Sequence, residues 1–177
     1  KRNNKFANSG IVVPIEEFDW QKYNNKGNLA ALEYQKSVEQ QAFKFGGGGQ
    51  VAPAQRLVDF IENKFSQDLP ITSYQPGLKS VITDDVLPQN ITKALRQGFS
   101  DFGKKINSFL TNEAVIHITE SRTSSPVRIP RDKQTLVHPQ ITGLYPCGEG
   151  AGYAGGIMSA AIDGQKCADA IYGWSFS

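Results

Sequence analysis

The sequence predicts an α/β protein, α+β in the arrangement of this chain. Two long stretches, Leu29 to Phe45 and Val86 to about Leu110, repeat apolar residues at helical spacing. Short apolar runs rich in β-branched residues, Ile11-Val12-Val13 and Ala114 to Glu120, read as strands. A glycine-dense loop then joins an apolar run, Leu144 to Cys147, to a closing helix that starts at Gly155-Gly156.

Taken in order, Lys1 to Ser9 is polar, and Ile11-Val12-Val13 is a short strand closed by Pro14. Asp19 to Asn28 is a polar loop with Asn-Asn-Lys-Gly turn chemistry, anchored by Trp20 and Tyr23. The helix of Leu29 to Phe45 ends in Gly46 to Gly49. No Gly-Lys-Ser or Gly-Lys-Thr follows those glycines, which excludes a P-loop. Ala52-Pro53-Ala54-Gln55 opens a second helix running to about Phe65, with Pro53 suited to its first position. Arg56 then falls in the first turn, where a cation opposes the helix dipole, so it serves another purpose or lies on the surface. Ser66 to Gly77 is a loop, and Leu78 to Val81 is ambiguous. In the helical stretch from Val86, Pro88 fits a first turn and Gly103 interrupts the run. His117 lies inside the strand of Ala114 to Glu120, and His138 is expected on a surface loop. Arg131-Asp132-Lys133-Gln134 reads as an exposed turn, and Leu136-Val137 and Leu144 to Cys147 as strands. In the closing helix, Ile157, Ala161, Gly164, Ala168 and Ile171 recur as an inward face of mostly small residues, with Gly173 as its stop.

Two clusters carry chemistry. The first is the loop Gly148 to Gly156 with its one acid, Glu149. Glycines let backbone N–H groups approach a ligand, and a helix N-terminus favours an anionic or carbonyl edge. The same stretch also reads as a tightly packed turn that binds nothing. Gly150-Ala151-Gly152-Tyr153-Ala154-Gly155 fits G-x-G-x-x-G, but no second strand and no ribose-binding acid follow it, so it is not the pyrophosphate cradle. The second cluster is Ser121 to Ile129. Arg122, Thr123, Ser124, Ser125 and Arg128 place two guanidinium groups and three hydroxyls around Pro126. Such a set holds a carboxylate, a phosphate or a polar ring edge, or else pairs with surface acids. Cys147 and Cys167 are not in C-x-x-C spacing and read as reduced thiols. No metal-ligand set or Ser-His-Asp arrangement stands out, and the sequence designates no catalytic acid or base.

The 177 residues suit one domain, or one domain and part of another. Nineteen basic against 17 acidic residues give a net charge of +2, too balanced to point to nucleic acid or a membrane surface. No signal peptide or membrane span stands out, and the two reduced thiols suit a cytoplasmic protein.

Gly143-Leu144-Tyr145-Pro146-Cys147-Gly148-Glu149-Gly150-Ala151-Gly152-Tyr153-Ala154-Gly155-Gly156-Ile157, preceded by Thr123-Ser124-Ser125-Pro126-Val127-Arg128-Ile129, resembles the C-terminal end of a family of bacterial FAD-dependent dehydrogenases. The family is described as NAD- or FAD-utilising, within the class that has a glutathione-reductase-type FAD domain. The resemblance extends to Phe6 to Val13 and Ala52 to Arg56. It implies that residues 1–112 form a helix-rich substrate domain. Residues 113–177 then return as the last strand, loop and helix of a split FAD-binding domain. It also implies that a long N-terminal part with most of the FAD site precedes Lys1, as this chain's partner. By the same resemblance, Gly148, Glu149, Gly155, Gly156, Ile157 and Met158 meet the cofactor, with Glu149 against ribityl hydroxyls. Glutamate departs from the aspartate commoner in that class. Arg122, Ser124, Ser125 and Arg128 are the candidate substrate-binding residues for a small molecule, and NAD(P)H is a candidate reductant. The contrasting expectation is a binding or interaction module that keeps the fold without cofactor. Apolar surface left exposed on the closing helix would favour self-association.

Overall fold

The computed structural model describes residues 3–175. The fold is α+β, helices with one small three-stranded sheet. The chain divides into two compact units, Lys1–Asp19 with Lys36–Ser121 and Trp20–Gln35 with Arg122–Ser177.

A 3₁₀ helix spans Glu17–Leu29, where the sequence reads as a loop, with a kink at Gly27 (φ 54°). The three apolar residues Ile11 to Val13 form no strand. Helix α1, Ala30–Gly46, buries Ala30, Tyr34, Val38 and Ala42, a stripe at four-residue spacing. Its end has a specific cause. Gly47 takes φ 90°, its N–H donates to the Lys44 carbonyl, and the Gly48 N–H donates to the Phe43 carbonyl. This is the 6→1 and 5→2 bonding of a Schellman cap, which needs a left-handed residue after the helix.

Ala52–Arg56 is strand β1, not the start of a helix. It is the central strand, parallel to β2 (Leu78–Ser80) and antiparallel to β3 (Val115–His117). Pro53 is tolerated there because β3 ends opposite it. Only the Pro53 carbonyl is used, accepting the Ile118 N–H at 2.9 Å. The helix that the sequence places from Pro53 begins only at Leu57, as the short α2, Leu57–Ile61.

The polar residues at the end of β1 hold the loops of this unit. Gln55, 1% exposed, donates to the Lys64 carbonyl at 2.6 Å. Its Oε1 accepts the Thr83 N–H at 2.9 Å and the Thr83 hydroxyl at 2.6 Å. Arg56 pairs with Asp68 at 3.0 Å and donates to the Asn112 carbonyl. Its purpose is therefore to clamp two loops. Helix α3, Thr83–Val86, leads to α4, Gln89–Lys105, which buries Thr92, Leu95 and Phe99. Lys104 and Lys105 close α4 with charges that suit its C-terminus. Gly103 lies inside α4 and does not interrupt it. A Cβ there would stand 2.6 Å from Leu110 Cδ1, so the glycine admits the returning chain. Phe60, Phe99, Phe102 and Phe109 form an edge-and-stack aromatic core.

In the second unit the Tyr23 and Tyr34 rings meet edge to face at 6.3 Å. Leu136-Val137 and Leu144 to Cys147 form no strands, and single backbone bonds replace a ladder: Asp132 N–H to Val137 and His138 N–H to Leu144, both 2.8 Å. Helix α5, Ile157–Ser175, runs through Gly173, which does not stop it. Among the described residues no helix is long and apolar enough to cross a membrane.

Candidate functional site

The glycine loop and the Ser125–Ile129 part of the second cluster come together in the second unit. The Gly148–Gly156 loop turns at Gly148 (φ 72°) and Gly152 (φ 82°). The Gly152 N–H donates to the Glu149 carbonyl and the Tyr153 N–H to the Gly148 carbonyl, at 2.9 and 3.0 Å. The Ser125–Arg131 arm lies directly on this turn. A Cβ on Gly152 would stand 2.9 Å from the Val127 carbonyl oxygen and 3.1 Å from Arg128 Cα, so only glycine fits. The Ser125 hydroxyl lies 3.1 Å from the Gly150 carbonyl, and the Ile129 N–H donates to the Ala151 carbonyl at 3.1 Å. The Tyr153 hydroxyl donates to the Ile129 carbonyl at 2.9 Å.

A buried ion pair fixes the other side of the loop. Arg131 and Asp163 are each about 10% exposed and pair in a fork, at 2.6 and 3.0 Å. The same Arg131 Nη1 donates to the Pro146 carbonyl at 2.7 Å and lies 3.4 Å from the Cys167 Sγ. Asp163 also accepts the Gly148 N–H at 2.8 Å. The Tyr153 ring lies 3.6 Å from the Arg131 guanidinium and 4.3 Å from that of Arg128, both cation–π contacts. An open groove of about 620 Å³ is lined by Arg128, Pro130, Arg131, Lys133, Leu136 and Tyr153.

This pairing corrects two expectations. Arg131 is a largely enclosed anchor, its side chain 10% exposed, not part of an exposed turn. The face of α5 read as inward is largely the exposed one. Ile157 is 90% exposed, and Ala161, Ala168 and Ile171 are also exposed, whereas Asp163 and Cys167 are buried. An acid is drawn inside because a guanidinium from 32 residues upstream meets it there. The available signal was Asp163 itself, a lone carboxylate in a run of alanine, isoleucine and glycine.

The candidate cofactor residues divide by environment. Gly148 is tied down by Asp163. Glu149 is half-buried, and among the described residues its carboxylate has no hydrogen bond or ion pair. The Gly155 and Gly156 N–H groups donate to the Ser159 hydroxyl at 3.3 and 3.1 Å. Ile157 and Met158 head α5 with exposed side chains. Of the candidate substrate residues, Ser125 is a loop fastener and Arg128 lines the groove. Arg122 and Ser124 are exposed, and the Ser124 hydroxyl donates to the Thr123 carbonyl. In the first unit, burial lowers the His117 pKa, and its ring lies 5.7 Å from Tyr74. Among the described residues no group of three or more His, Cys, Asp or Glu could hold a metal ion.

The Arg131 hydrogen bond, aided by the Gly148 N–H, holds the Asp163 carboxyl below its ordinary value. A lowered folded-state pKa stabilises the fold above the unfolded value of about 4, and that gain is lost as pH falls through the folded value. Melting of the wild type and Asp163→Asn against pH is therefore expected to differ by a constant amount above about pH 4 and to converge below it. A gap that stays constant through the acid range would sink this assignment.

A family model described as "FAD-dependent protein, C-terminal domain-like" matches residues 1–123. A curated protein of Clostridium beijerinckii, described as uncharacterized, is 40% identical over 167 residues, 93% of this chain and 31% of that protein. The chain thus spans about a third of the curated relative it matches.

Proposed function

The chain belongs to the FAD-dependent protein, C-terminal domain-like family, and from that premise we propose that it is the C-terminal part of a flavin-dependent oxidoreductase. In this reading the whole protein is a dehydrogenase with a glutathione-reductase-type FAD domain, and NAD(P)H is the proposed reductant. The observation that carries the site assignment is Glu149. Its carboxylate is half-buried and unpartnered among the described residues, on a loop fastened from both sides.

The donor set fits a flavin edge. A carboxylate accepts from hydroxyl groups, and the start of α5 presents a partial positive charge to an anionic ring edge. FAD, when bound, accepts a hydride or electrons and supplies the redox chemistry. Glu149 would orient the cofactor through its hydroxyls. The amides of Ile157 and Met158 would face the ring, and the Ser159 hydroxyl would release the Gly155 and Gly156 N–H groups to it. Arg128 would meet an anionic group of the substrate in the groove, with Ser125 holding the arm in place. Arg122 and Ser124 belong to the same proposal as flanking polar contacts.

The exposed apolar face of α5 supports a further part of this reading. Ile157, Met158, Ile162, Ile171 and Tyr172 are 42–90% exposed, and apolar residues exposed together on one helix suit an interaction surface. We propose that the preceding FAD domain of the longer protein covers it, and that without that cover the face drives self-association. The contrasting module without cofactor has the same exposed face in its favour and predicts no flavin dependence.

The test is Glu149→Ala in the full-length protein. A charge-assisted hydrogen bond is worth about 1.5–3 kcal/mol, so FAD affinity is expected to fall by about 10–100-fold. Flavin absorbance retained after desalting reads this directly. Unchanged retention would remove Glu149 from the site. A wild-type protein that never holds flavin would favour the module.

A further inference from the structure

Cys147 and Cys167 are 20 positions apart in sequence, yet one guanidinium joins their surroundings. The Arg131 Nη1 lies 2.7 Å from the Pro146 carbonyl, next to Cys147, and 3.4 Å from the Cys167 Sγ. The backbone around Cys147 is held on its other flank too, where the Gly148 N–H donates to Asp163 at 2.8 Å. Asp163 lies one helical turn before Cys167 on α5. One anchor thus holds the segment around Cys147 against the turn of α5 that carries Cys167. Their exposures differ: Cys147 is open to solvent, Cys167 is 4% exposed, and both are free thiols.

We infer that Cys147 and Cys167 form a reversible dithiol–disulfide pair, oxidised by a low-molecular-weight disulfide. The difference in access sets the order of events. Cys147, as thiolate, attacks one sulfur of the small disulfide. The S–S bond breaks, and one small thiol leaves, taking up the proton that Cys147 released. Cys167, in turn deprotonated, attacks the Cys147 sulfur and expels the second small thiol with its proton. The two protein thiols lose two electrons and two protons, and the small disulfide gains them. Burial raises the Cys167 pKa, and Arg131 beside it acts against that rise. Burial keeps Cys167 from reacting first, which makes it the resolving thiol. Closing requires an S–S bond of about 2.05 Å with the two Cα atoms about 4.4–6.8 Å apart, and the Arg131–Asp163 anchor must allow that approach. The bond would lock the glycine loop to α5 across the turn that carries Glu149.

The test treats the purified protein with oxidised glutathione and follows it by intact mass and peptide mapping. The expected product has lost two hydrogens, carries no glutathione, and yields a Cys147–Cys167 cross-linked peptide. In Cys167→Ala the glutathione adduct on Cys147 is expected to persist, at least about tenfold longer than in the wild type. Cys147→Ser is expected to leave Cys167 unmodified. A lasting glutathione adduct on wild-type Cys147 with Cys167 still free would overturn the proposal, as would first modification at Cys167 or no reaction at either thiol.

Discussion

Replacing Arg131 by methionine is expected to destabilise the second unit by about 3–5 kcal/mol, the range for removing one partner of a buried ion pair. The substitution keeps most of the side-chain volume and removes the charge. Asp163 is then left about 10% exposed with the Gly148 N–H as its remaining hydrogen bond. The Pro146 carbonyl loses its donor as well. Urea unfolding followed by Tyr and Trp fluorescence measures the cost. Arg131→Met with Asp163→Asn is expected to recover part of it, since no uncompensated charge remains. A single-variant cost below about 1 kcal/mol would put the pair among ordinary surface bridges and remove the basis for treating it as the anchor of the loop.

Gln55→Leu is expected to cost the first unit about 2–4 kcal/mol. The side chain fills a site that is 1% exposed and satisfies two donors of Thr83, itself fully buried. Leucine keeps the volume and leaves the Thr83 N–H and hydroxyl without an acceptor. Each buried polar group stranded in this way costs about 1–3 kcal/mol. The Lys64 carbonyl also loses its donor, but it belongs to an exposed residue that water can reach. Restoring balance with Thr83→Val in the same chain should regain part of the loss, because the stranded hydroxyl goes with it. If both single variants unfold like the wild type, this network does not support the sheet.

The helices α1 and α4 were legible because their buried stripes recur at three- and four-residue spacing within one segment. β1 was not, since Ala-Pro-Ala-Gln imitates a helix start. Its strand identity depends on partners at Leu78 and Val115, which no local pattern names. Leu144 to Cys147 has the apolar content of a strand, but single bonds and an arginine hold it instead. The inversion of α5 has the same origin. Periodicity located its two faces correctly and could not say which faces in, because the arginine that draws Asp163 inward comes from another segment. At the candidate site, the loop glycines and the Ser125–Arg128 arm could be read from sequence. Their mutual contact and the Arg131–Asp163 anchor could not.

Met158 is the single methionine of the sequence, and it stands 72% exposed at the head of α5, nine residues beyond Glu149. Isotope labelling of its terminal methyl therefore gives these 177 residues one methionine resonance, placed at the mouth of the loop. A molecule that settles against Glu149 and the helix start must shift that resonance. One that occupies only the groove beside Arg128 need not. A lone thioether thus turns the chain into its own local gauge of occupancy.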